Sequence, residues 1–196
     1  MRRFATMILA SLLLACPAAA QEVAPEFTEL MNEADEARIA RFDEALGQAL
    51  IQAVKAGAFE DIETLQQAIG GEAQPTSAEG LIGDWRCRTI KIGGNLPLVA
   101  YGFFDCRIER VTGGLSLQKL SGSQRTSGRL VSLDGSRWGY VGADHYARED
   151  PIAYDANSER NTVGILSRVG RDRLWLGMPE PQFESDFDVL ELVRAR

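Results

Sequence analysis

After Gly80 the chain breaks into eight short segments of alternating polarity, each bounded by Gly, Asn, Asp or Pro. They fall at about 81–92, 98–110, 115–120, 125–133, 137–143, 162–169, 173–178 and 184–193. A period of two is the pattern of strands that bury one face. The connections carry hairpin chemistry: Gly93-Gly94-Asn95, Thr112-Gly113-Gly114, Asp134-Gly135 and Gly170-Arg171-Asp172. Eight hairpin-linked strands predict a mainly β domain over residues 81–196. An about eight-stranded antiparallel up-and-down barrel is expected, because closure removes exposed edges. An open sandwich is the alternative.

Upstream the period changes. Phe27, Leu30, Met31 and Ala34, then Ile39, Phe42, Leu46, Leu50 and Val54, recur at helical spacing, and Gly57 breaks the run. Residues 59–69 supply a second short helix with Ile62, Leu65, Gln66 and Ile69 on one side; Gly70-Gly71 ends it and 74–80 reads as a linker. Residues 21–80 thus form an acidic helical segment, with thirteen acids against three bases, whereas 81–196 has fifteen against sixteen. Its Ala-rich stripe predicts a face that docks on its own domain. A chain of net charge −7 lacks the basic surface that nucleic acid or an anionic membrane needs.

The first twenty residues read as an export signal: Arg2 and Arg3, an apolar stretch from Met7 to Leu14, and Ala18-Ala19-Ala20 before Gln21. Cleavage after Ala20 predicts a periplasmic or secreted chain. The alternative is a lipoprotein anchored through Cys16, which follows Leu13-Leu14-Ala15. No later stretch reaches transmembrane length. Once Cys16 is removed, Cys87 and Cys106 remain, an even pair in an oxidising compartment. A structural disulfide is expected, with Cys87 opposite Cys106 and Trp85 opposite Ile108. That register places Leu98, Ala100, Gly102, Phe104, Cys106 and Ile108 on one face of the second strand. Closing a loop of this length contributes about 3 kcal/mol.

Four blocks carry a resemblance: Gly83-Asp84-Trp85-Arg86-Cys87-Arg88, the run from Tyr101 to Ile108, the run from Gly122 to Gly128, and the tail from Glu184 to Leu192. They resemble the exported alphaproteobacterial family known as domain of unknown function 4893. That resemblance implies export and a shared fold, and no activity. Gly83-Asp84-Trp85 and Arg194 also resemble the lipocalin-like barrels, or calycins, in which an Arg near the last strand stacks on the first-strand Trp. It implies that Trp85 and Arg194 close one end of the barrel.

Catalytic patterns are absent from the sequence: no Gly-x-Ser-x-Gly, no His-Glu-x-x-His and no phosphate-binding loop. The single histidine, His145, is expected in a loop as surface. Residues 155–166 lack the Gly at the sixth place of a calcium loop and the carboxylate at the twelfth, where Leu166 stands. Glu184, Asp186 and Asp188 are expected together on one exposed strand face. No metal or cofactor is expected. The expected function is a non-enzymatic barrel binding a small molecule or an envelope component, with Arg125, Tyr101, Trp138, Tyr140 and Trp175 as the candidate lining. The alternative is a protein-binding module, such as an inhibitor of a secreted hydrolase with the acidic helices as its arm.

Overall fold

The computed structural model describes residues 25–195. The expected export signal, the Ala20–Gln21 junction and Cys16 lie outside the described residues. Four helices come first, α1 (Pro25–Thr28), α2 (Glu33–Ala40), α3 (Phe42–Ala56) and α4 (Phe59–Ile69), and a single turn, α5 (Ala78–Leu81), leads into the sheet. The strands are β1 (Gly83–Ile92), β2 (Leu98–Ala100), β3 (Phe104–Val111), β4 (Gly114–Lys119), β5 (Gln124–Ser132), β6 (Arg137–Tyr146), β7 (Asn161–Gly170), β8 (Arg173–Pro179) and β9 (Phe187–Arg194). β1 pairs antiparallel with both β2 and β3, each strand from β3 to β8 pairs antiparallel with the next, and β9 returns to pair with β1. The result is a closed eight-stranded up-and-down barrel, because β2 and β3 are two parts of one interrupted strand lying along β1.

That interruption corrects the expected register. Ile90 pairs with Ala100, whereas Cys87 pairs with Phe104 and Trp85 with Cys106. Two residues of β1 thus face three, Tyr101-Gly102-Phe103, and the odd residue reverses which side chains point inward. Leu98 and Ala100 pack outside the barrel, among helix residues, while Cys106 and Ile108 pack inside. The hairpin sets this offset: Gly93 and Gly94 have positive φ (75° and 77°), and the Gly93 amide closes on the Pro97 carbonyl at 3.0 Å. Cys87 and Cys106 form the disulfide along a diagonal between β1 and β3, with Cα atoms 5.8 Å apart.

The interior is apolar from one end to its middle, with Trp85, Ile108, Leu115, Leu117, Leu130, Trp138, Leu166, Leu174, Leu176 and Leu192. Arg194 caps that end. Its guanidinium lies 3.8 Å from the Trp85 ring centroid and donates to the carbonyls of Ile82 (2.9 Å) and Gly80 (2.6 Å), while Trp85 Nε1 donates to Leu81 O at 2.9 Å.

The helices cover two apolar patches of the outer wall. Ala45, Ala49 and Ala53 of α3, with Leu65 and Ala68 of α4, cover Ile90, Ile92, Leu98, Phe187 and Val189. Small side chains bring the helix axis close to the sheet. Phe27 and Ile39 cover Val141 and Val163. Asn32 caps α2 by accepting from Asp35 N at 2.9 Å. Asp35 and Arg38 then form a buried ion pair at 2.7 Å. Tyr154 OH (2.6 Å) and Asn161 Nδ2 (2.8 Å) donate to Asp35, and Arg38 donates to Pro179 O and Asn161 O. Satisfied on all sides, such a pair fixes where the helix sits more than how tightly it binds.

Glycines in the wall receive the helix aromatics. A Cβ at Gly139 would lie 2.4 Å from the fully buried Phe27 ring, and one at Gly177 would lie 2.7 Å from Phe42. In urea denaturation, Gly139→Ala should cost about 1–3 kcal/mol by overpacking, and Phe27→Ala about 3–5 kcal/mol. The double variant should cost clearly less than their sum, because the new methyl occupies space that the ring has left. Strict additivity would show that the ring and the glycine do not interlock.

Candidate functional site

The barrel's other end is charged. Alternation carries the inward positions of four strands to a last polar residue: Lys91 on β1, Lys119 on β4, Asp144 on β6 and Asp188 on β9. Lys91 and Asp188 stand directly opposite across the closing seam, and Asp144 stands opposite Thr126 of β5. Beneath them lies Tyr140. It is fully buried, its ring lies where Cβ atoms at Gly128 and Gly142 would be, and its hydroxyl is 2.8 Å from Thr126 Oγ1. Burial pushes this phenol far above its ordinary range, so it stays protonated. Tyr140 is therefore the floor that separates the apolar half from the charged half.

Lys91 Nζ lies 3.1 Å from Asp188 Oδ2 and 3.4 Å from Glu184 Oε2. Burial alone would lower its pKa, but the two carboxylates outweigh it and hold the ammonium above its ordinary value. Asp188 is 8% exposed and accepts from Ser185 Oγ at 2.5 Å. Its pKa is nevertheless raised, since burial outweighs Lys91 and Ser185, and Asp144 adds repulsion. Asp144 opens onto the water of the barrel mouth, yet the wall encircling it desolvates the carboxylate. That holds its pKa up against Thr162, Thr126 and the two lysines. Lys119, only 7% exposed, donates to Gln124 O at 2.7 Å and sits 4.5 Å from the Phe104 ring centroid. Burial, with help from Lys91 and Arg125, lowers its pKa. Among the described residues no carboxylate comes within ion-pair distance of it.

Three cavities meet at Lys91. One of about 60 Å³ includes Gln124, Asp144, Asp188, Tyr146 and Phe183 in its wall. A second, also about 60 Å³, lies between Lys91 and Lys119. A groove of about 260 Å³ runs outward past Leu96, Val99 and Tyr101. Buried charges with displaced pKa values beside cavity space are the mark of a binding or catalytic site.

Residues 28–192 match the family described as "Domain of unknown function (DUF4893)". The chain belongs to that family. No curated protein matches it. Among solved structures, a redesigned β barrel matches with a TM-score of 0.41 and 10% identity, over 64% of this chain and 100% of that one.

The DUF4893 barrel distributes the expected lining residues widely. Tyr140 lies at the charged end and Tyr101 at its rim, 45% exposed. Trp138 packs in the apolar half. Trp175 faces outward against Phe42, ring centroids 6.3 Å apart, because Leu174 and Leu176 take the inward positions of β8. Arg125 lies on the outer wall, where its Nε donates to Gly122 O at 3.1 Å, in a groove with Ser127 and Arg148 that Lys119 also lines. Of the expected carboxylate row, only Asp188 belongs to a strand: Glu184 reaches Lys91, and Asp186 accepts from Gln52 Nε2 at 2.6 Å and from the Gly94 amide. His145 is buried within β6 rather than in a loop, 3.2 Å from Ser127 Oγ. Its Nδ1 faces the Tyr146 carbonyl at 3.4 Å. Among the described residues, no group of three His, Cys, Asp or Glu is placed to hold a metal ion, and no helix is long and apolar enough to cross a membrane.

The sign of the Lys119 shift gives a stability test. A lowered folded-state pKa means that the charged form is disfavoured in the fold, so at neutral pH Lys119 is a net cost. Lys119→Met keeps the stem's packing and should raise the urea midpoint at pH 7. The advantage should narrow as pH climbs toward the ordinary lysine value of 10.5. A lower midpoint at pH 7 would mean that the ammonium is stabilising where it sits.

Proposed function

We propose that this DUF4893 protein is an exported, non-enzymatic envelope barrel that holds a small molecule at its lysine–aspartate end. The observation that carries it is the meeting of Lys91, Lys119, Asp144 and Asp188, from four strands, around cavity space above the Tyr140 floor. A barrel tuned only for stability gains nothing from charges placed there. Export is supported by the charge–apolar–small pattern of residues 1–20 and by a disulfide, which persists in oxidising compartments.

A protein-binding role has one observation in its favour. Ile51, Val54 and Phe59 are 56%, 72% and 76% exposed where α3 meets α4. Against a free arm, the helices' other apolar faces are already covered by the barrel wall.

Native mass spectrometry of protein taken gently from its own envelope tests the choice. The expected result is a non-protein mass of less than about 1 kDa, lost on denaturation and depleted in Lys119→Met. A bare chain that keeps a protein partner, released by Phe59→Ser, would overturn the small-molecule reading. The same spectra read export, as a chain beginning at Gln21 with Cys87 and Cys106 oxidised; an acylated Cys16 would place the protein on a membrane anchor instead.

A further inference from the structure

The two small cavities at the charged end differ in chemistry, and the difference names a ligand group. The one between the lysines is lined by Thr89, Lys91, Tyr101, Lys119, Ser123 and Gln124, with the Phe104 ring as an apolar wall. These side chains bring two ammonium groups, three hydroxyls and an amide, and no carboxylate. The charge of Lys91 is balanced by Asp188 and Glu184. That of Lys119 is met by a carbonyl and a ring. Asp144 and Asp188 act on Lys119 only from beyond ion-pair distance. A buried cation with no counterion in contact is costly, and an anion placed against it, with hydroxyl donors around it, forms strong charge-assisted hydrogen bonds.

Volume narrows the class further. About 60 Å³ holds a head group of a few heavy atoms and no larger body. Lys91 and Tyr101 also line the groove of about 260 Å³ that continues outward past Leu96 and Val99. A molecule with its head between the lysines can lay an apolar body along that groove.

We propose that the Lys91–Lys119 cavity is an anion subsite, and that the ligand is a small organic acid whose carboxylate or phosphate sits there with its apolar body in the Leu96–Val99–Tyr101 groove. This rests on the small-molecule reading above and supplies its chemical class. The cavity walled by Asp144 and Asp188 takes no part in holding the acid group.

The test is titration of the full folded protein with hexanoate, hexyl phosphate and hexylamine, followed through the lysine Cε–Hε signals in two-dimensional NMR. Hexanoate or hexyl phosphate should shift the Lys91 and Lys119 signals saturably, and the tighter of the two identifies the acid group. Hexylamine should give no saturable shift. Lys119→Gln should weaken the anion at least roughly tenfold, and Thr89→Val by a few-fold, with near-ultraviolet circular dichroism confirming that each variant is folded. Equal binding of hexylamine would overturn the proposal. So would wild-type anion affinity in both variants, or no saturation by either anion at concentrations on the order of 10 mM. A neutral or cationic cargo in the native mass spectrum, together with failed anion titrations, would remove the anion subsite and leave the binding barrel standing. Lysine-dependent anion saturation supports the subsite even in protein isolated without cargo.

Discussion

The pairing of β1 with β9 fixes both ends of the barrel at once. The seam runs from Trp85 opposite Arg194 to Ile92 opposite Phe187 without a register break. At one extreme it sets the Arg194 guanidinium on the Trp85 ring, with two carbonyls taking its protons. At the other it sets Lys91 opposite Asp188, both facing inward. A slip of one residue would turn Arg194 and Asp188 outward together, opening the closed end and discharging the polar one. The cap and the site are thus two consequences of one register. The Cys87–Cys106 bridge helps to hold that register by tying the middle of β1 to its other neighbour, β3.

The same seam organises the outside. Phe187 and Val189 alternate with the inward residues of β9 and lie under α3 and α4, while Glu191 meets Arg88 at 2.6 Å. The wall is shaped to receive helices: Gly139 leaves room for Phe27 and Gly177 for Phe42, and the Asp35–Arg38 pair is satisfied only when α2 lies against β7 and β8. Residues 25–69 are therefore part of the barrel's wall. Their acidity is carried mainly by the side chains left facing water.

Much of this was legible in the sequence, and the limits have physical causes. Alternation and turn chemistry located the strands to within a few residues and implied closure. The Ala stripe announced a docking face, and an even cysteine pair its disulfide. Register failed at Tyr101-Gly102-Phe103, an exposed bulge whose one local sign was Gly102, because the stretches on either side of it are both apolar, one toward the helices and one toward the lumen. Leu98 and Ala100 are apolar for the helices' sake, so they read as continuing the Cys106 face. Trp175 misled for the same reason: under Phe42, an outward position is as apolar as an inward one. The charged end was illegible for another cause. Lys91, Lys119, Asp144 and Asp188 each fall at or near the end of a strand, where a charge ordinarily means solvent. Only closure of the sheet brings them together. The one usable signal was parity, since each sits an even number of residues from an apolar lumen residue on its own strand: Cys87, Leu117, Tyr140 and Leu190.

Parity also explains why the charged end forms a site rather than a frayed rim. An exposed lysine at a strand end costs nothing, because water solvates it; one kept inward by alternation is held against the wall whether or not it has a counterion. Tyr140 sharpens the effect by filling the barrel across the Gly128–Gly142 gap, so the polar side chains above it cannot sink into the apolar half. Asp188 and Glu184 answer Lys91, and the mouth's water reaches Asp144, but Lys119 lies under Phe104 with only a backbone carbonyl within hydrogen-bond reach. The barrel's geometry thus leaves the Lys119 ammonium without a carboxylate in contact at the place where cavity space begins, and a ligand that brings an anion against it gains affinity from a cost the fold has already met.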